Sequence, residues 1–209
     1  MRARLLSLAA AIGLAAACCQ APAQAAPSEG NVLAWINWAR AHPAEYADML
    51  REYRSWFQGR VVHAPGDETG VATVEGVAAV DEAIAYVERQ RPLPPLEQND
   101  RLTRAAEAYA GATGPSGRVG HVGPHGETLM QRIRAVGVLP SSAGEVIAYG
   151  PDTSEAVVRQ LIIDDGVPSR GHRMEIFDPG YRVAGVGCGR HRVYRTMCVV
   201  DFAGALAER

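Results

Sequence analysis

The stretch Tyr181-Arg-Val-Ala-Gly-Val-Gly-Cys-Gly-Arg-His-Arg-Val-Tyr-Arg-Thr-Met-Cys-Val-Val-Asp-Phe202 decides the fold class. Its two halves, 181–189 and 193–202, are rich in β-branched and small residues and flank a turn near Arg190-His191, which predicts an antiparallel strand pair. Cys188 and Cys198 are equidistant from Val193, so a symmetric hairpin sets them opposite each other. In an oxidising compartment that pair forms a disulfide, and the alternative is two free thiols.

Most of what precedes the hairpin has helical periodicity. Val32, Trp35, Ile36 and Ala39 form an apolar stripe, and Tyr46, Met49, Leu50 and Tyr53 continue one after Pro43, which suits the first turn of a second helix. Further helices are predicted over 77–90, over 102–113 with Asp100 as N-cap, over 127–136 with a stop at Gly137, and over 153–163. Residues 58–76 read as an irregular polar excursion, and 143–149 as a short strand. Helices with few strands and no βαβ alternation give an α+β class, with helices packed on a small antiparallel sheet.

The N-terminus reads as an export signal. Arg2 and Arg4 precede an apolar run from Leu5 to Ala17, and Ala23-Gln-Ala25 supplies a cleavage signal. Residues 1–25 are therefore expected to be a signal peptide and 26–209 a single secreted or periplasmic domain. Lipoprotein anchoring at Cys18 or Cys19 is the minor alternative. No later run reaches the length of a membrane span, so the mature chain is expected not to be membrane-spanning. All 21 basic residues are arginine, and without Arg2 and Arg4 the remaining 19 face 23 acids, a net −4. That balance argues against nucleic-acid binding, which needs a basic face.

Polar chemistry gathers in glycine-rich contexts. His121 lies in Val-Gly-His-Val-Gly, Glu145 in Ala-Gly-Glu-Val-Ile-Ala, and His172 in Gly-His-Arg, in a turn that follows Asp164-Asp165. Two imidazoles and two carboxylates on separate elements can hold a divalent metal or relay a proton. His125 is a weaker candidate, because Gly123, Pro124 and Gly126 prevent a helical pairing with His121. His42, His63 and His191 read as surface residues. Ser169 lies near His172, but no nucleophile elbow occurs.

Several short motifs stand in a recognisable order. They are Asn31 through Tyr46, Pro95-Leu96 leading to Leu102-x2-Ala105-Ala106, Gly120-His121, Gly144-Glu145-x-Ile147-Ala148, Gly171-His172-Arg173, and Tyr181 through Gly187. Together they resemble the CAP superfamily (the SCP domain of cysteine-rich secretory proteins, antigen 5 and pathogenesis-related proteins), in a bacterial-type secreted form. The resemblance implies an α-β-α sandwich with a central antiparallel sheet and an open cleft lined by two histidines and two acids. Carried over by motif, these are His121, Glu145, His172 and, eight residues before His172, Asp164, with Asp165 as its rival. The chain departs from the pattern at Leu161 for Trp, Asp164 for Glu, Glu175 for Asn and Val122 for Ser, and at His125-Gly126-Glu127 for an Asp-Gly-Ser turn.

The expected site is thus a metal set of His121, Glu145, Asp164 and His172, with zinc favoured over calcium because imidazole is a poor calcium ligand. One carboxylate can complete three protein ligands, and the other can orient an imidazole. The resemblance implies an extracellular binding protein for a small apolar ligand, a lipid or a peptide. The competing expectation is a metal-dependent, protease-like hydrolase using the same four residues.

Overall fold

A computed structural model describes residues 31–206. The proposed signal peptide, with Cys18 and Cys19, lies outside the described residues. In chain order the elements are α1 (Val32–Ala41), α2 (Pro43–Ser55), β1 (Phe57–Gln58), β2 (Val61–Val62), β3 (Val71–Ala72), α3 (Val77–Val87), β4 (Glu97–Gln98), α4 (Asp100–Thr113), α5 (Leu129–Ala135), β5 (Ala143–Tyr149), α6 (Ser154–Ile163), α7 (Gly171–Ile176), β6 (Val183–His191) and β7 (Arg195–Ala203). Among the described residues no helix is long and apolar enough to cross a membrane.

Local chemistry sets the helix ends. The Asn31 side chain accepts from the Ala34 amide, and Pro43 opens α2, where its missing N–H costs nothing. Asn99, not Asp100, caps α4; its side chain accepts from the Arg101 and Leu102 amides, and Asp100 falls inside the first turn. Thr128 and Gln131 form a capping box on α5, and Gly137 stops it with φ +79°.

The central sheet has the order β4-β6-β7-β5. Its three long strands are antiparallel, and the two-residue β4 adds a parallel edge. The predicted hairpin forms with Cys188 opposite Cys198 and a disulfide between them, while its turn falls at 192–194, two residues later than expected.

Alternate side chains serve two layers. Val146, Ala148, Val200 and Phe202 pack against α1, α2, α3, α6 and α7, while Ile147, Met197 and Val199 pack against Tyr109 and Ala110 of α4. Each fully buried Val, Ile, Met or Phe side chain among them stabilises the fold by roughly 1.5–3 kcal/mol. Helix α4 lies directly on the β6 backbone. A Cβ on Gly185 would stand 2.1 Å from the Thr103 amide nitrogen, and one on Gly187 would stand 2.2 Å from that of Glu107. The result is the α-β-α sandwich.

Two further expectations about local structure are corrected. The excursion over 58–76 is not irregular: β1, β2 and β3 form a small antiparallel sheet. Its far end is tied down by Asp165, whose carboxylate accepts the Val74 and Glu75 amides at 2.7 Å each, and by Glu75, which pairs with Arg170 at 2.6 Å. His172 lies in a short helix, α7, and not in a turn.

Candidate functional site

Each histidine is placed by backbone geometry that glycine or a left-handed residue permits. Asp164 closes α6 in the left-handed region (φ 60°, ψ 40°), which swings its carboxylate back over the start of α7. There its Oδ2 accepts the His172 amide at 3.0 Å, and its Oδ1 lies 2.6 Å from His172 Nδ1. Arg170, also left-handed at φ 52°, locks the corner by donating to the Asp164 carbonyl at 2.8 Å.

His121 comes from the loop after α4. Two tyrosines hold the preceding peptide: Tyr109 donates to the Gly120 carbonyl at 2.5 Å, and the Gly120 amide donates to the Tyr149 hydroxyl at 3.0 Å. Burial pushes the Tyr109 phenol up to about 12 and raises Tyr149, so both stay protonated at neutral pH. His121 Nδ1 lies 2.9 Å from Glu145 Oε1, and Arg132 donates to Glu145 Oε2. The Arg132 guanidinium also stacks 4.0 Å over the Tyr109 ring and donates to the His121 carbonyl at 2.9 Å.

The structure therefore brings His121, Glu145, Asp164 and His172 into one cleft. The imidazole centres are 6.5 Å apart with their planes at 39°. Both carboxylate side chains are 2% exposed, whereas His121 is 52% and His172 25% exposed. The acids lie beneath and the rings face the solvent. Each carboxylate accepts from Nδ1, so in the neutral form of either ring the lone pair is on Nε2. Among the described residues no group of three or more His, Cys, Asp or Glu is placed to hold a metal ion. No serine or threonine hydroxyl among them is hydrogen-bonded to either imidazole.

Asp165 points away to the Val74 and Glu75 amides, so Asp164 alone serves His172. His125 is exposed, outside the pair, with its amide on Glu127. His191 is not a surface residue: it is 2% exposed, its Nε2 bonds the Arg118 carbonyl, and its Nδ1 accepts the Val193 and Tyr194 amides.

Sequence reasoning missed Arg132 and Asp201. Asp201 is fully buried and directly opposite Glu145 across β5 and β7, and among the described residues its oxygens have no neighbour to bond except the Glu145 carboxylate itself. Burial first, and the nearby Glu145 charge second, push its carboxyl up to about 8. A lone acid inside the apolar run Cys198-Val-Val-Asp201-Phe202 was the available signal. Arg132 had none.

A cavity of about 170 Å³ adjoins His172 and is lined by Ile147, Gln160, Leu161 and Val167. A larger groove of about 490 Å³ shares Tyr149, Gln160 and Asp165 with it and runs under the small sheet to Tyr53 and Phe57.

Residues 33–202 match the family described as "CAP: Cysteine-rich secretory protein family". The chain belongs to the CAP family. Among solved structures, this CAP protein is similar to an extracellular SCP-domain protein from Bacillus anthracis (22% identity, TM-score 0.47, 60% of this chain) and spans 40% of that protein's length. It is also similar to an outer surface protein of Borrelia burgdorferi (22%, 0.45, 61% of this chain and 90% of that one) and to a cysteine-rich secretory protein of Staphylococcus aureus (14%, 0.41, 62% and 38%). Comparison with curated proteins finds no match.

Proposed function

We propose that this CAP protein is a secreted, non-catalytic binding module whose cleft holds a divalent metal, zinc by preference, and takes an apolar or peptide ligand beside it. One observation carries the reading: both imidazoles are tied through Nδ1 to a buried carboxylate, so both Nε2 atoms are left for a metal. A carboxylate on the far nitrogen fixes the tautomer and strengthens the imidazole as a ligand.

The donor set fits zinc. Ligation at about 2.0–2.1 Å puts each ring centre roughly 3.2 Å from an ion. A centre-to-centre distance of 6.5 Å is then at the outer limit for two rings sharing one ion, and closure by roughly 1 Å brings them to tetrahedral spacing. His121, half exposed on a loop that opens with Gly120 at φ +101°, has room to make that shift. His121 and His172 are the proposed ligands, and Glu145 and Asp164 orient them. Bound there, zinc offers its open positions to an oxygen or nitrogen of the ligand. The non-catalytic part of the reading is supported by the lack, among the described residues, of any hydroxyl bonded to either ring and by the pairing of Cys188 with Cys198.

Zinc titration by calorimetry tests this. Wild type binds one zinc per chain, and His121→Ala or His172→Ala each weaken binding by about 100-fold or more, the loss of one of two nitrogen ligands. Equal zinc retention in wild type and both variants would overturn the metal site. Turnover of peptide or ester substrates, lost in Glu145→Gln, would overturn the non-catalytic reading in favour of the hydrolase.

A further inference from the structure

Strand β5 is the outer strand of the central sheet. The Gly150 amide donates to the Thr196 carbonyl, which places Gly150, Ala148, Val146 and Gly144 as the residues bonded to β7. The backbone N–H and C=O of Tyr149, Ile147 and Glu145 therefore point the other way, along the open edge. At Tyr149 a side chain completes the ladder. Gln160 Oε1 accepts the Tyr149 amide at 3.2 Å, and Gln160 Nε2 donates to the Tyr149 carbonyl at 3.1 Å. One carboxamide thus does at this position what a neighbouring strand does.

The next two outward pairs have no such cover. Among the described residues no group bonds the amide or carbonyl of Ile147 or Glu145, although these residues are only 4% and 8% exposed. Enclosed backbone groups are almost always paired, and unpaired sheet edges are normally covered. The open pairs lie within the candidate cleft. Glu145 carries His121, and Ile147 lines the cavity beside His172.

We infer that the β5 edge at Glu145 and Ile147 is the docking edge for an extended peptide, which joins the central sheet as an added strand along the cavity beside His172. This names the ligand class of the cleft and rests on that cleft being a ligand site, but not on the metal. The two outward pairs match a donor and an acceptor on one residue, repeated two residues and about 6.6–6.8 Å further on. Extended backbone presents that pattern, and an acyl chain presents no part of it. Past Gln160 the peptide enters the larger groove, where Tyr53, Phe57 and Val62 favour an apolar side chain.

The test selects random hexapeptides displayed on phage against the whole mature chain, with and without zinc, and remakes the enriched sequences as capped synthetic peptides. The account expects these peptides to shift the Glu145 and Ile147 amide resonances of nitrogen-15-labelled protein. N-methylation of the peptide at alternate residues should weaken binding about tenfold or more, one hydrogen bond left unmade, while methylation at the intervening residues is tolerated. The inference is overturned if no sequence is enriched over an empty surface, if binders leave both amides unmoved, or if methylation is tolerated throughout. Peptide binding that persists while zinc fails to bind sinks only the metal reading. Zinc binding without any peptide response sinks only the edge.

Discussion

Glu145 and Asp201 face each other across β5 and β7, and among the described residues only Glu145 is paired with a cation. Asp201, enclosed behind it, is a carboxyl raised from 3.8 to about 8. Below about pH 4 the folded and unfolded chains both hold this proton. As pH rises toward 8 only the unfolded chain releases it, so the group lowers stability progressively across that window. Asp201→Asn removes the ionisation. The variant should therefore gain on wild type by about 1 kcal/mol per pH unit through this range, read from urea unfolding at several pH values. Parallel curves for the two proteins would contradict the assignment.

Arg132 neutralises the buried Glu145 carboxylate and stacks on Tyr109. Arg132→Met keeps much of the volume and strands the charge, at a cost of about 3–5 kcal/mol. Since Glu145 also orients His121, zinc affinity should fall about 10- to 100-fold in whatever fraction remains folded. Adding Glu145→Gln to Arg132→Met removes the stranded charge, and thermal unfolding should show partial recovery.

The two neighbouring acids should separate cleanly. Asp164→Asn loosens His172 and should weaken zinc about 10- to 100-fold. Asp165→Ala releases the Val74 and Glu75 amides from the small sheet's tether, so those amides should exchange faster with zinc affinity unchanged. Equal effects of the two substitutions on zinc would refute this division of roles.

The same tether gives an acid-side prediction. The Arg170 side chain first, then the Gly166 amide, hold the Glu75 carboxyl down to about 2. Stability from this pair is present above the ordinary value of 4.5 and is lost as pH falls from there toward 2. Glu75→Gln should lose that acid-side dependence, measured as exchange at Val74 and Glu75 between about pH 5 and pH 3.

How much of this was legible depends on how local the cause is. The Cys188–Cys198 register and the 143–149 strand follow from alternation and symmetry within one short segment, and both appear as read. The small sheet was not legible, since strands of two residues carry no period and their tether reaches from residue 75 to residue 170. Asn99 takes the cap from Asp100 because either side chain suits the position, and backbone placement decides. His121, Glu145, Asp164 and His172 could be singled out because each stands in a local motif, and the structure sets the four side by side. Arg132 and Gln160 act only through tertiary contact, and His191 is buried by Tyr149 of β5 and the Arg118 carbonyl, which are remote in sequence, as well as by its own turn.

The account turns on which nitrogen of each imidazole is left for a ligand. A long-range proton–nitrogen correlation spectrum of the metal-free protein reports this for His121 and His172 individually. The account predicts that both rings carry the proton on Nδ1 with Nε2 bare, and that added zinc moves both Nε2 signals together. A proton on Nε2 in either ring, or a zinc response confined to one of them, would contradict it.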